Sequence, residues 1–305
     1  MSDNSTTKNK FCYNSVFLTV ERDGSKISLT LPVCRREMIL SMEREKIFKR
    51  LFYFLKTRYI YLRGVRVKEI SDSKSIPIII NNFNRVTTLM DLISFLERRG
   101  YKNIFIIDNA STYPPLLEYY RQTPYKVFML DKNIGYKALW RTPIYKQFQS
   151  NLFVYTDSDV VPCEECGDDF MDLFRSIMTR HPFATKVGFG LKIDDLPDHF
   201  RQKQSVIDWE KKHWEIEAER GVYRAPIDTT FALYRPYTRA YSNWYIESYR
   251  TGGRYVARHI PWYTNSENPS QEELYYIKSC VRSSHWTAMQ QSEQSTEFAG
   301  SENPE

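Results

Sequence analysis

Between residues 76 and 157, four apolar runs each end in a cluster of polar residues, and no other feature narrows the fold as far. The runs are IPIII (76–80), NIFIID (103–108), KVFML (126–130) and NLFVYTD (151–157). Their apolar residues are continuous rather than alternating, as in strands buried on both faces. Leu89, Leu92, Ile93 and Leu96 follow the first run at helical spacing, with Gly100 as the stop, and a shorter helix is expected around Leu116–Arg121. Strand–helix alternation of this kind predicts an α/β fold, a mostly parallel sheet with helices on both faces. Ligands of such sheets bind beyond the carboxyl ends of the strands.

The 305 residues suffice for a full core without disulfides or structural metal. At 42% hydrophobic and 26% charged the chain is neither disordered nor fibrous, and its 15% aromatic content suits flat or ring-shaped ligands as well as core packing. Five cysteines form no disulfide framework and fit a reducing compartment; Cys163 and Cys166 read as two loop thiols, since no second metal-ligand pair follows them. No run of about 18 apolar residues occurs, and the nine residues after Met1 are polar. The expectation is a cytoplasmic protein, peripheral at the inner face of a membrane.

Charge is concentrated. From Arg35 to Lys68, eleven Lys and Arg face three Glu, so a chain of net charge +6 carries +8 there and −2 elsewhere. A near-neutral body argues against nucleic acid as a partner. Within this segment Leu40, Ile47, Phe48, Leu51, Phe52, Phe54 and Leu55 recur near helical spacing. A basic amphipathic helix reads either as an element for an anionic membrane surface or as an ordinary packed helix. Residues 1–74 are therefore set apart as an extension, with a hairpin turning at Asp23-Gly24 before the helix. Residues 75–286 form the main domain, in two parts, 75–162 and 163–286, and 287–305 read as a disordered tail.

The polar clusters are NNFNR (81–85), DNAS (108–111), DKNIG (131–135) and DSD (157–159). Four such sets at successive strand ends carry more information than any one of them. From Ile76 to Pro162 the chain resembles the nucleotide-sugar-binding half of GT-A-fold glycosyltransferases, most closely family two, in its FNR, IDNAS, KNIGYKALW and YTDSDVVP segments. The resemblance implies a GT-A-type, Rossmann-like sheet. It places Phe83, Arg85 and Asp108 around the nucleotide base, with Asp108 accepting a hydrogen bond from it, and Asn133 and Gly135 along the nucleotide cleft. The chemistry of the DxD stands beside the resemblance. A departing nucleoside diphosphate gathers negative charge, which a hard cation such as Mn²⁺ or Mg²⁺ stabilises through carboxylate oxygens. Asp159 would bind that metal, with Asp157 assisting through the ribose or a metal-bound water.

The second half is expected to hold the acceptor. A helix is predicted over 168–182, a strand over 187–194, and one or two polar helices between His199 and Gly221. Trp209 and Trp214, five residues apart, do not share a helix stripe, so at least one is available as a platform for a sugar ring. APIDTTFALYRP (225–236) reads as a strand with Asp228 at its start, and by resemblance such a strand lies beside the donor sugar and acceptor. Asp228 is therefore the leading catalytic residue, as base or hydroxyl binder, with Asp195, Asp194 and Glu247 behind it. The chain lacks the Glu-Asp pair that many family-two enzymes use as base. His259, in ARHIPWY, matches the late histidine that completes the metal shell of several GT-A enzymes. A helix with Leu274, Ile277 and Val281 closes the fold. These features predict a metal-dependent transfer of sugar from a nucleoside diphosphate donor, UDP-sugar favoured, to a glycan or lipid-linked glycan. The alternatives are a sugar nucleotidyltransferase, or a non-catalytic module for sugar binding or membrane docking.

Overall fold

The computed structural model describes residues 13–22, 25–64, 72–240 and 242–280, with side chains from residue 44 onward. The chain divides into two compact units, Met1–Leu55 and Lys56–Glu305. In the first, β1 (Tyr13–Arg22) and β2 (Ser25–Cys34) pair antiparallel, from Arg22↔Ser25 to Tyr13↔Cys34. The expected turn residues Asp23-Gly24, the polar N-terminus and the tail after Trp286 lie outside the described residues. Helix α1 (Arg35–Gly64) begins in this unit and ends in the second.

The second unit is built on one mixed sheet. Its parallel half is β3 (Ile78–Asn82), β4 (Ile104–Asp108), β5 (Lys126–Met129) and β6 (Phe153–Asp157), in the order β5-β4-β3-β6. These are the four runs read from the sequence. The order reverses direction at β3: the chain first adds β4 and β5 on one side, then β6 on the other. Beyond β6 the sheet becomes mixed. Here β11 (Ala232–Tyr234) lies antiparallel between β6 and β8 (Lys186–Leu191), and β12 (Ser248–His259) runs parallel to β8. The hairpin β9 (Glu217–Glu219) and β10 (Val222–Arg224) closes the far edge, while β7 (Val160–Pro162) pairs with the end of β12.

Pleat parity separates two cores. Ile78 and Ile80 of β3 face α2 (Thr87–Arg98), α3 (Pro114–Gln122) and α6 (Phe170–Arg180) through Leu89, Leu92, Leu116, Phe170 and Phe174. Ile79 faces the short helices α4 (Ala138–Arg141) and α5 (Tyr145–Phe148) through Leu139, Tyr145 and Phe148. Helices thus cover both faces, as continuous apolar strands require. Two expectations change. The polar helix ends early: α7 (Lys203–Glu210) passes into a short 3-10 turn (Lys211–Trp214), and 217–224 is the β9–β10 hairpin. The 225–236 strand shortens to β11, leaving Asp228 in the loop before it. Helix α8 (Gln271–Ser279) closes the described chain.

Candidate functional site

The parity that sorts the core also sorts the polar strand ends. Asn81 and Asp157 are register partners on the α4–α5 face. Asn109 Nδ2 donates to Asn81 Oδ1 at 2.6 Å, and Asn81 Nδ2 donates to Asp157 Oδ1 at 3.0 Å. The Thr229 hydroxyl donates to Asp157 Oδ2. Burial, with Asp159 and Asp228 nearby, pushes the Asp157 carboxyl well above the usual range. On the opposite face Ser158 Oγ donates to Asn82 Oδ1 (2.6 Å) and Asn82 Nδ2 to Tyr120 (2.8 Å). Tyr120 in turn donates to Asp108 Oδ1 (3.0 Å). The second oxygen of Asp108 accepts the Ser111 amide at 2.8 Å, and the residue is fully buried.

Asp159 leaves the strand and enters a different environment. The His259 amide neighbour, Ile260 N–H, donates to the Asp159 carbonyl at 2.9 Å, because β12 ends against β7. That pairing brings His259 Nε2 to 3.7 Å from Asp159 Oδ1. Both Asp159 Oδ1 and His259 Nδ1 are buried without a hydrogen-bond partner. Burial lowers the His259 pKa and Asp159 opposes the shift, so the imidazole is neutral near pH 7. Arg85 Nε lies 3.7 Å from Asp159 Oδ2, while its Nη atoms form a bidentate pair with Glu273 at 2.6 and 3.2 Å. The guanidinium stacks 3.8 Å from the Tyr276 ring, and Phe83 meets the same ring edge-on. Helix α8 thereby covers the two residues expected around a base.

Asp228 is exposed on a clamped loop. Ser248 Oγ donates to the Ala225 carbonyl (2.7 Å) and Arg250 Nε to that of Pro226 (2.9 Å). Lys186 Nζ donates to that of Ile227, and the Tyr234 hydroxyl to that of Asp228 (3.1 Å). Asn133 Oδ1 accepts the Gly135 amide at 2.8 Å, and Asn109 Oδ1 accepts the Ile134 amide at 3.2 Å, which ties this loop to the Asn81–Asp157 chain. Asp195 sits elsewhere: burial would raise its pKa, but Tyr263 (2.6 Å) and Arg258 (2.6 Å) hold it below the usual range, making it a poor base. Trp209 is exposed, with the Lys212 ammonium 3.4 Å over its ring. Trp214 fills a slot in the sheet, where a Cβ on Gly190 would lie 2.5 Å from its ring. Cys163 and Cys166 are free, buried thiols.

The structure thus brings Asp157, Asp159, Asp228 and His259 to the reversal between β3 and β6, while Asp195 is exposed beside Tyr263 and Arg258 and Trp214 packs against Gly190. Among the described residues no three His, Cys, Asp or Glu side chains are arranged to hold a metal alone, since the Asp157 oxygens are engaged by Thr229 and Asn81. Thr229, Lys186, Arg250 and Glu273 were not singled out from the sequence, and Asn81 entered only as part of the NNFNR cluster. A lysine opening an apolar strand (KVGFGL) and an arginine within β12 were the available signals.

No family model matches the chain, and no curated protein matches it. Among solved structures, S. aureus TarS 1-349 aligns at 15% identity over 52% of this chain and 46% of that one, with a TM-score of 0.33. The match thus spans less than half of that structure.

Proposed function

We propose that the protein is a GT-A-type glycosyltransferase moving a sugar from a nucleoside diphosphate donor, UDP-sugar favoured, to a glycan or lipid-linked glycan. The observation that carries this reading is the meeting of Asp159 and His259, a hundred residues apart, beside Asp157 and Asp228 at the reversal of a parallel sheet. Such a reversal is where open α/β sheets bind nucleotides. Asp159 Oδ1, buried and without a hydrogen-bond partner, and His259 Nε2, 3.7 Å from it, suit one divalent cation whose remaining positions would go to phosphate oxygens and water. When bound, Mn²⁺ or Mg²⁺ supplies a stabilising charge for the departing diphosphate.

The chain's own groups do the rest. Asn81 and Thr229 fix the Asp157 side chain toward the strand ends. The carbonyl clamps on 225–228 hold Asp228 at the mouth of the site, where its carboxylate can bind a sugar hydroxyl. Arg85, paired to Glu273, leaves the carboxylate cluster with an excess of negative charge. The nucleotidyltransferase reading is weaker, because it needs a glycine-rich phosphate loop after the first strand, and NNFNR contains no glycine.

A thermal-shift panel of UDP- and GDP-sugars, with and without Mn²⁺, tests the proposal. The expected result is a rise in Tm with donor and Mn²⁺ together that exceeds either alone and is abolished by Asp159→Ala. Absence of any shift across the panel would refute the reading.

A further inference from the structure

The sequence left the base of the reaction unassigned, and the candidate named beside Asp228 is tied into an ion-pair network. We propose that Glu210 and His213 form a carboxylate–imidazole pair that takes the proton of the acceptor hydroxyl, an inference that rests on the glycosyl-transfer reading above. Glu210 ends α7 and His213 lies in the turn that follows. Both side chains are buried, and Glu210 Oε2 faces Arg250 Nη1 at 2.8 Å and His213 Nδ1 at 3.3 Å.

A buried carboxylate needs a partner, and Arg250 supplies a permanent one at 2.8 Å. Burial would raise the Glu210 pKa, but Arg250 and His213 outweigh it and hold it below the usual range. His213 joins that pairing without being its permanent charge. Its placement has a chemical use: His213 Nδ1 makes no hydrogen bond in this structure, but the anion 3.3 Å away favours the proton on that nitrogen and leaves Nε2, on the opposite edge, as a proton acceptor.

One link runs from the pair to the site: Arg250 also donates to the Pro226 carbonyl, two residues before Asp228. Trp244, 40% exposed, lies nearly parallel to the His213 ring at 10°, with centroids 5.8 Å apart. It offers a flat apolar face, next to the imidazole, of the kind on which sugar rings stack.

In the proposed step the acceptor oxygen bonds to the anomeric carbon. The bond from that carbon to the phosphate oxygen breaks, its electron pair leaving with the nucleoside diphosphate. The hydroxyl proton passes to His213 Nε2, and Glu210 stabilises the imidazolium. The test measures nucleotide release with Mn²⁺ and the sugar nucleotide selected by the thermal-shift panel, with water as acceptor, across pH 5–9. His213→Gln is expected to lower kcat about 100-fold or more, leave the donor KM within about threefold, and remove the acid limb of the profile. Glu210→Gln is expected to move that limb to lower pH. Because either variant can lose stability, the wild-type limb is also compared with the His213 titration followed by NMR; the two midpoints should coincide. Retained kcat in His213→Gln, or midpoints that differ, overturns the proposal while donor-dependent stabilisation leaves glycosyl transfer standing. Failure of the wild type to bind any sugar nucleotide overturns glycosyl transfer itself.

Discussion

Asp108 and Lys186 show how one side chain's surroundings decide its role. Both oxygens of Asp108 are engaged inside the protein, by Tyr120 and the Ser111 amide. Asp108→Ala would strand two buried donors and should cost about 2–4 kcal/mol in urea unfolding. A base-contacting role would instead weaken nucleotide binding and leave stability unchanged. Lys186 is buried on β8 with its ammonium against the carbonyls of Ile227 and Asp228, and burial lowers its pKa to about 7. Asp228 opposes that shift, while Arg250 and Lys137 add to it. A lysine whose folded pKa lies below its unfolded value penalises the fold fully below pH 7. The penalty is relieved as pH rises from about 7 toward 10.5, since only the unfolded chain still binds the proton there. Unfolding free energy of the wild type relative to Lys186→Met should therefore climb by several kcal/mol between pH 7 and pH 10. A difference that stays flat over this range would show the amine to be solvated.

At the scale of elements, α8 and α1 do opposite things with their surfaces. α8 inserts Glu273 against the buried Arg85, and Glu272 accepts from the amide and hydroxyl of Thr87 at the start of α2. Glu273→Ala leaves Arg85 without its bidentate partner and should destabilise the fold by about 3–5 kcal/mol, read by chemical denaturation. α1 buries Thr57 and Ile60, and stacks Arg58 3.9 Å over Phe183. Along another line of the same helix Phe48 is 70% exposed and Leu62 67%, with Leu51 and Leu55 between them and Ile47 just before. Lys46, Lys49, Arg50 and Lys56 lie outside that stripe. The combination suits an anionic bilayer surface, although no described helix is long and apolar enough to cross one. Vesicles containing phosphatidylserine should float the protein and neutral vesicles should not, and salt should weaken the effect. Equal flotation of a Phe48→Glu, Leu51→Glu, Leu55→Glu variant would contradict a role for the stripe.

Across the whole molecule, what was legible in the sequence follows from chain order. The β3–β6 half lays its strand ends out in succession, so IPIII, NIFIID, KVFML and NLFVYTD announced both the sheet and its polar rim. Pleat parity was the hidden variable that turned Asp108 away from the face of Asp157. Residues 217–221 were misread because EIEAE favours a helix locally, while Gly221 at φ 72° turns the chain into the β9–β10 hairpin. Lys186 and Arg250 stood out only as cations within apolar strands, and Glu210 and His213 gave no sign of a role, since Arg250 reaches Glu210 from β12, forty residues further along the chain. Both hydrophobic clusters, and every residue assigned to the site, fall within Lys56–Glu305. A chain beginning at Lys56 keeps Thr57 and Ile60 and with them the buried side of α1. It should melt cooperatively, by circular dichroism, and retain the donor- and Mn²⁺-dependent rise in Tm. It should also lose vesicle flotation, because Phe48, Leu51, Leu55 and most of the cations beside them are gone. Loss of the cooperative melt would mean that residues 1–55 contribute to the fold of the larger unit. Retained flotation would move the membrane-binding surface off α1.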